Sequence, residues 1–549
     1  MNLVFRNKSA HVRIALLMSV FCAAFLMVIG RLIYLGLLAP PPSQEVPRNI
    51  ENGRPAILDR NGQVLAMDVP VTSAFAAPRF IVDVDEAVER ITAVLPDLDR
   101  RELYHRLSSD AHFAWIKRHI TPSEEQALWN AGIPALSFQK EKRRFYPNGT
   151  LAAHVLGTVN IDNVGISGLE RWIETDGLST LRQSGMDLSS EALAPVVSTI
   201  DIRVQHALEA EIERAMRKYD AKAGAGLVLN VETGEVFALA SLPSFDPNDP
   251  ADALKPDRIN RIAAADFEMG STFKALTTAM ALESGQFSIR SMIDASRPLA
   301  FGRMRIHDFQ GKYRPLSLPE AFIYSSNISM AKMAMAVGKE RHRLFLRQFG
   351  QMDVLRTELP ETAIPILPKR WNDVEIATAS FGHGIAVTPL QASMGVAALI
   401  NGGRLIRPTF IKASPLAPRL IASDLIGPQT GEVMRYLFTL NAEVGSAKNG
   451  RVDGYLIGGK TGTAEKVVAG RYSKTLNITS FMGIVPADDP KFLLLTILDE
   501  PKALPETYGF RTAGWNAAPL GGAVFGRVLP LLGELPSFDA RPDPFHALR

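Results

Sequence analysis

The chain is nearly devoid of cysteine: one residue, Cys22, in 549. No intrachain disulfide can form, and the redox compartment stays open, because an exported protein can do without disulfides. Histidine and cysteine at metal-ligand spacing are also missing. His154 has no such partner near it in the sequence and reads as a structural histidine, so neither a metal nor an organic cofactor is implied. No charge of one sign dominates: 60 basic against 57 acidic residues leave only +3, which argues against a nucleic-acid binder. There is no internal repeat and no low-complexity tract. What remains is a composition of 46% hydrophobic and 21% charged residues, ordinary for globular folds and long enough for two or three domains.

Acids are absent before Glu45, while Arg6, Lys8 and Arg13 precede an apolar run at 14–30 that resumes, after Arg31, at 32–39. At ~1.5 Å per residue the first run spans about 26 Å, close to the hydrocarbon thickness, with Arg31 able to snorkel. The charge bias predicts a cytoplasmic tail at 1–13, a single anchor at 14–38 and export of everything beyond. A cleaved signal peptide is the rival, but the run is too long for its core and no small-x-small site follows. A lipoprotein site at Cys22 fits worse, being mid-run behind Phe21. Residues 40–47 are Pro-rich and read as a stiff spacer.

Beyond the spacer, Asn61-Gly62 between apolar runs predicts a hairpin. Amphipathic helices follow at 86–95, 100–107 and 122–131, then the polar stretch Arg143-Arg144-Phe145-Tyr146-Pro147-Asn148-Gly149 and, further on, Gly165-Ile166-Ser167-Gly168-Leu169-Glu170. The composition shifts to Ser, Leu and Pro at 177–196, a boundary. Val204, Leu208, Ile212 and Met216 recur every fourth residue, giving a helix over 202–219 capped by Asp201 or Thr199. Strands are predicted at 226–230, 235–241, 459–466, 478–486 and 492–499, a helical segment at 318–337 and a last helix at 518–532.

Three short motifs carry chemistry. In Phe267-Glu268-Met269-Gly270-Ser271-Thr272-Phe273-Lys274, the serine and the lysine three residues on share one face of a helix's first turn. A serine hydroxyl is a poor nucleophile until a neighbour takes its proton, and a lysine does so only with a depressed pKa. Free N–H groups at a helix start favour developing negative charge and disfavour an ammonium. Alone, the pair is common by chance. Ser325-Ser326-Asn327 adds a serine-x-asparagine that, by itself, reads as well as a helix-start cap. Lys460-Thr461-Gly462 lies in a Gly-flanked stretch on a predicted strand.

Together and in this order, the three motifs are the signature of serine β-lactamases and penicillin-binding proteins. The chain resembles the class B penicillin-binding proteins, the monofunctional peptidoglycan D,D-transpeptidases. Within them it is most similar to the division-specific FtsI type in its alphaproteobacterial form. The resemblance runs from the anchor to about residue 532. Residues 54–62 resemble the opening of the family's pedestal domain, with Pro55 where glycine is usual, and 143–170 match its second motif. There Arg144 and Glu170 read as packing or partner-facing charges. Phe381-Gly382-His383-Gly384 and Thr388-Pro389-Leu390-Gln391 resemble the division type; His383 reads as a loop residue, not a base. Met269 stands where many relatives have proline.

The resemblance implies a multidomain fold. It has a single N-terminal transmembrane helix and an α+β pedestal of the dimerisation type at 39–190. An α/β serine penicillin-recognising domain follows at 195–535, its five-stranded antiparallel sheet flanked by helices, and a flexible tail at 536–549. It implies Ser271 as nucleophile, Lys274 as its base, Ser325 as proton shuttle and Lys460 as the positive charge. Asn327, Thr461, Gly462 and Thr463 would bind substrate, and the backbones of Ser271 and Thr463 would form the oxyanion hole. The reaction implied is cross-linking of stem peptides with release of D-alanine, with β-lactams as slowly hydrolysed acylating inhibitors. Implied partners are D-Ala-D-Ala stem peptides, the membrane, and division proteins including a glycosyltransferase that polymerises lipid-linked precursor. The implied location is the inner membrane at the septum, with the catalytic domain in the periplasm. Three other readings remain: an elongation-specific transpeptidase, a membrane β-lactam sensor or hydrolase, and a non-enzymatic divisome scaffold.

Overall fold

The structure is a computed structural model that describes residues 4–33, 53–180, 193–412, 419–468, 471–538 and 543–548. The chain divides into two compact units, Met1–Ile50 with Thr72–Glu141, and Glu51–Val71 with Lys142–Arg549.

In the first unit, residues Val4–Ile33 form one 30-residue helix whose described apolar side chains, among them Leu17, Phe21 and Phe25, are exposed. It starts well before the expected apolar run, because Arg6, Lys8 and Arg13 are good helix formers whether or not lipid surrounds them. Among the described residues no helix is long and apolar enough to cross a membrane, and the expected span at 14–38 runs on beyond them. Residues 34–38 of the expected anchor and the spacer at 40–47 lie outside the described residues. The three expected amphipathic helices form at Val84–Val94, Arg100–Leu107 and Pro122–Asn130. Each starts on a side-chain cap: Asp83 and Asp99 accept from backbone N–H groups, and Thr121 pairs with Glu124 in a capping box. With the strand Ala114–Ile120 they enclose a core of Val88, Ile91, Leu103, Leu107, Ile116 and Leu128.

The second unit opens on the expected hairpin. Ile57 pairs with Ala66 around Asn61-Gly62, where Gly62 takes φ +89°, and Asp59 accepts from the N–H groups of Asn61 and Gln63. Arg54 and Arg144 are fully buried, and both hold Glu170, at 2.7 and 2.6 Å. Asp68 closes on Arg144 at 3.0 Å and Glu174 on Arg54 at 2.5 Å. The Pro55 carbonyl accepts from Arg144 at 2.9 Å, so proline serves here with its one remaining backbone group. These charges therefore face one another rather than a partner. His154, also buried, donates from Nε2 to the Arg258 carbonyl at 2.8 Å, the structural role expected of it.

The expected domain boundary at 177–196 falls inside this unit. Helix Ile202–Tyr219 follows, with Asp201 as its cap, and then the central antiparallel sheet. We number its strands β1 (Ala223–Asn230), β2 (Val236–Leu242), β3 (Gly458–Val468), β4 (Arg471–Val485) and β5 (Phe492–Asp499). Their order is β3-β4-β5-β1-β2, which leaves β3 at an edge. One face packs on helices Ile202–Tyr219 and Ala517–Leu531 through Leu208, Ile212, Leu494, Val524 and Phe525. Both faces are covered, which is why β5 reads Phe-Leu-Leu-Leu-Thr-Ile-Leu-Asp without alternation. The helical segment expected at 318–337 is two helices, Leu318–Ile323 and Asn327–Val337, broken where Ser325 takes φ +55°. The tail expected to be flexible at 536–549 is tied down where it is described: the Ser537 N–H donates to the Gly454 carbonyl at 2.8 Å, and Phe545 is 3% exposed with its ring 5.8 Å from Tyr436.

Candidate active site

Ser271 lies not on the first turn of an α-helix but on a 3₁₀ turn, Gly270–Phe273, that runs into the helix Lys274–Glu283. With three residues per turn, positions 271 and 274 are stacked more directly than an α-helical turn would stack them. The turn is held against the edge strand β3. A Cβ on Gly462 would meet the Met269 carbonyl oxygen at 2.9 Å and Ser480 Oγ at 2.5 Å, so the approach needs glycine in Lys460-Thr461-Gly462. A Cβ on Gly270 would sit 3.1 Å from the Thr463 carbonyl oxygen. In an antiparallel strand the N–H and C=O of one residue point to the same side, so the Thr463 N–H also faces the serine turn.

Lys274 and Lys460 are both buried, at 1% and 0% exposure, and neither has an acid as hydrogen-bond partner. Lys274 Nζ donates to the Ser325 carbonyl at 2.5 Å and lies 3.0 Å from Ser325 Oγ. Lys460 Nζ reaches the same hydroxyl at 3.2 Å and the Thr461 carbonyl at 3.1 Å. The left-handed backbone of Ser325 is what turns both its oxygens toward the two amines. Burial, followed by the charge of Lys460, pushes Lys274 well below the ordinary lysine value, against a smaller opposing pull from Asp308. Burial draws Lys460 down to about 7. Burial and the neighbouring positive charge thus bias Lys274 toward the neutral amine. A neutral amine has two N–H bonds and one lone pair. Ser325 occupies the N–H bonds, which leaves the lone pair for a proton. Ser271 is half-buried, and its hydroxyl makes no hydrogen bond among the described residues.

The other expected residues fall around this core. Asn327 begins the helix Asn327–Val337 with Nδ2 bound to the His307 carbonyl at 3.0 Å, which orients its Oδ1 outward. Ser326 is the helix cap, accepting from Ser329 N–H, so the cap reading and the chemical reading of Ser325-Ser326-Asn327 hold for different residues. Thr461 Oγ1 pairs with Ser446 Oγ at 2.6 Å, and Thr463 Oγ1 accepts from Ala513 N–H at 3.1 Å. His383 stacks on Tyr472, ring centres 5.7 Å apart, in a turn beside Gly270, as a loop residue.

Two site residues escaped sequence reasoning. Asp308 accepts from Ser326 Oγ at 2.7 Å and Ile328 N–H at 3.0 Å, pinning the helix that positions Ser325. Ser446 holds Thr461. Each is an isolated polar residue in a loop, with no periodicity or spacing to mark it. Glu268, quoted in the serine motif without a role, accepts from Gly384 N–H and from the Tyr472 hydroxyl, both at 2.9 Å.

Residues 224–520 match the penicillin binding protein transpeptidase domain, and 49–176 the penicillin-binding protein dimerisation domain. The chain is 35% identical to a probable peptidoglycan D,D-transpeptidase FtsI of Caulobacter vibrioides, over 88% of this chain and 82% of that one. It is 31% identical to a probable peptidoglycan D,D-transpeptidase PenA of Neisseria meningitidis, over 88% and 85%. Against the peptidoglycan D,D-transpeptidase FtsI of Escherichia coli it is 29% identical, over 94% and 91%. A half-buried serine between two lysines, a serine turn against the Lys-Thr-Gly strand and similarity over 88% of the chain agree: the chain belongs to the class B penicillin-binding proteins.

Proposed function

We propose that the chain is the septal peptidoglycan D,D-transpeptidase of its cell, cross-linking stem peptides through an acyl-enzyme on Ser271. The observation that carries this reading is Ser325 Oγ between Lys274 and Lys460, at 3.0 and 3.2 Å, beside the serine turn. Lys274 takes the Ser271 proton as the hydroxyl attacks the carbonyl between the two terminal D-alanines. Ser325 passes that proton to the leaving D-alanine. Lys460, Thr461 and Thr463 hold the donor's carboxylate, Asn327 its amide, and Gly462 lets the strand come close. The N–H groups of Ser271 and Thr463 receive the oxyanion. The amine of a second stem peptide then resolves the ester. β-Lactams acylate the same serine and leave slowly.

The functional division we propose is a cytoplasmic tail at 1–13, an anchor at 14–38, a pedestal at 39–190, a transpeptidase domain at 195–535 and a tail at 536–549. The anchor would place the enzyme in the inner membrane with its catalytic domain in the periplasm, beside a glycosyltransferase that supplies glycan strands. Division rather than elongation is supported by the relatives named FtsI.

The test is labelling of the membrane-extracted chain with a fluorescent penicillin beside Ser271→Ala. A stable adduct in the wild type alone is expected; no adduct from folded wild type would leave the scaffold reading. Fluorescent fusions at mid-cell, not along the lateral wall, are expected for the division role.

A further inference from the structure

The site assembled above is built for an anionic substrate. Lys460 and the hydroxyls of Thr461 and Thr463 suit the donor's carboxylate, yet the second reactant is cationic. An acceptor amine is an ammonium at neutral pH and must lose a proton before its nitrogen can attack. Lys460 repels it. Of the three acids described beside the site, Glu465 on β3 is exposed and Asp308 is committed to Ser326 and to Ile328 N–H. The third is Glu268, three residues ahead of the nucleophile in a segment whose Phe267 bridges to Val387.

Glu268 Oε1 accepts from two neutral donors, Gly384 N–H and the Tyr472 hydroxyl. Oε2 is shielded from solvent and has no hydrogen-bond partner, and no cation pairs with the carboxylate among the described residues. A shielded carboxylate oxygen without a partner is costly, so a strut role alone leaves the charge of Glu268 unaccounted for. The turn that supplies Gly384 also packs its Gly382 against Gly270, so Glu268 lies where that turn, the serine turn and β4 converge.

We propose that Glu268 binds the ammonium of the acceptor stem peptide and takes its proton. This rests on the transpeptidase reading above. The ammonium exchanges with the Tyr472 hydroxyl, a neutral donor for a charged one, and the movement of the phenol opens Oε2. One proton passes from nitrogen to the carboxylate. The freed lone pair forms the C–N bond at the Ser271 ester carbonyl, the second N–H proton goes to neutral Lys274, and Lys274 returns it to Ser271 Oγ as the C–O bond breaks. Glu268 then releases its proton to water, and no oxidant or further reactant is needed.

The experiment uses the full chain with a thioester analogue of the D-alanyl donor, comparing acyl-enzyme formation with transfer to two acceptors: a D-amino acid, which carries an ammonium, and hydroxylamine, which is neutral at pH 7. Glu268→Gln keeps an oxygen for Gly384 and Tyr472 but loses the charge. The expected result is a fall of about tenfold or more in transfer to the D-amino acid relative to acylation, with KM for that acceptor raised, the size of one lost charge-assisted hydrogen bond. Transfer to hydroxylamine should fall no more than acylation does. Tyr472→Phe should keep or raise transfer to the D-amino acid. Equal losses for both acceptors and for acylation in Glu268→Gln, or unchanged partition, would overturn the proposal. Failure of the wild type to be acylated at Ser271 would instead sink the transpeptidase reading. Glu465→Gln, an exposed carboxylate on β3, serves as the control for a general field effect.

Discussion

At the scale of single residues, the proposed mechanism runs through two buried amines whose proton affinity is lowered by burial. Acylation should fall at low pH as Lys274 gains a proton, since its lone pair is the base. It should fall again above about 7, where Lys460 loses the charge that keeps Lys274 neutral and attracts the substrate carboxylate. The rate of penicillin acylation against pH should therefore be bell-shaped, and Lys460→Arg, which cannot deprotonate, should flatten the alkaline limb in whatever activity it retains. Gly462→Ala tests the close approach directly. A methyl there meets the Met269 carbonyl and Ser480, so strand and serine turn must separate. A loss of roughly 10²-fold in acylation rate is expected, the cost of misplacing a nucleophile and its oxyanion donor by about 1 Å. Stopped-flow labelling measures it, and near-wild-type acylation would show that the turn tolerates the shift.

Among the elements, the pedestal hairpin is joined to the helix Gly168–Ile173 by buried charge as well as through the apolar core that holds Ile57, Leu65 and Leu169. Arg54 and Arg144 both depend on Glu170. Burial alone would raise the Glu170 pKa, but the two guanidiniums together hold it below the ordinary carboxylate value. Glu170→Ala leaves two buried cations short of a partner and should cost about 3–5 kcal/mol. The readout is the temperature at which penicillin binding is lost, and an unchanged temperature would mean that Asp68 and Glu174 suffice. Strand and helix boundaries at this scale were largely legible: β5 and the helix Ile202–Tyr219 fall where period and propensity put them. The helical segment at 318–337 was not, because no propensity rule makes a serine take a left-handed backbone. Contacts with Lys274 and Lys460 hold Ser325 there.

For the whole molecule, polar composition was a poor guide to the C-terminal tail. Pro, Asp and Arg surround two phenylalanines, and while Phe538 is exposed, the ring of Phe545 is buried against Tyr436. Phe545→Ala should free the tail without touching the site: limited proteolysis is expected to trim it at least tenfold faster while penicillin labelling persists. Residues 72–141 belong to one compact unit, while 51–71 and 142–549 form the other. An insertion within a strand leaves the flanking sequence pattern intact, so no composition shift marks it.

By itself the sequence determined the class of chemistry and pointed to Ser271 as the expected nucleophile, because Ser-x-x-Lys, Ser-x-Asn and Lys-Thr-Gly are local patterns whose order survives in one dimension. It also determined most helices and strands, since their periods are local. The tertiary structure alone decided how the proton affinity of each lysine falls, because that depends on burial and, for Lys274, on a second charge 186 positions away. It alone brought Asp308, Ser446 and Glu268 to their places, where no spacing rule reaches. Long-range packing sets dielectric and distance, and a pKa or a hydrogen bond exists only once both are set.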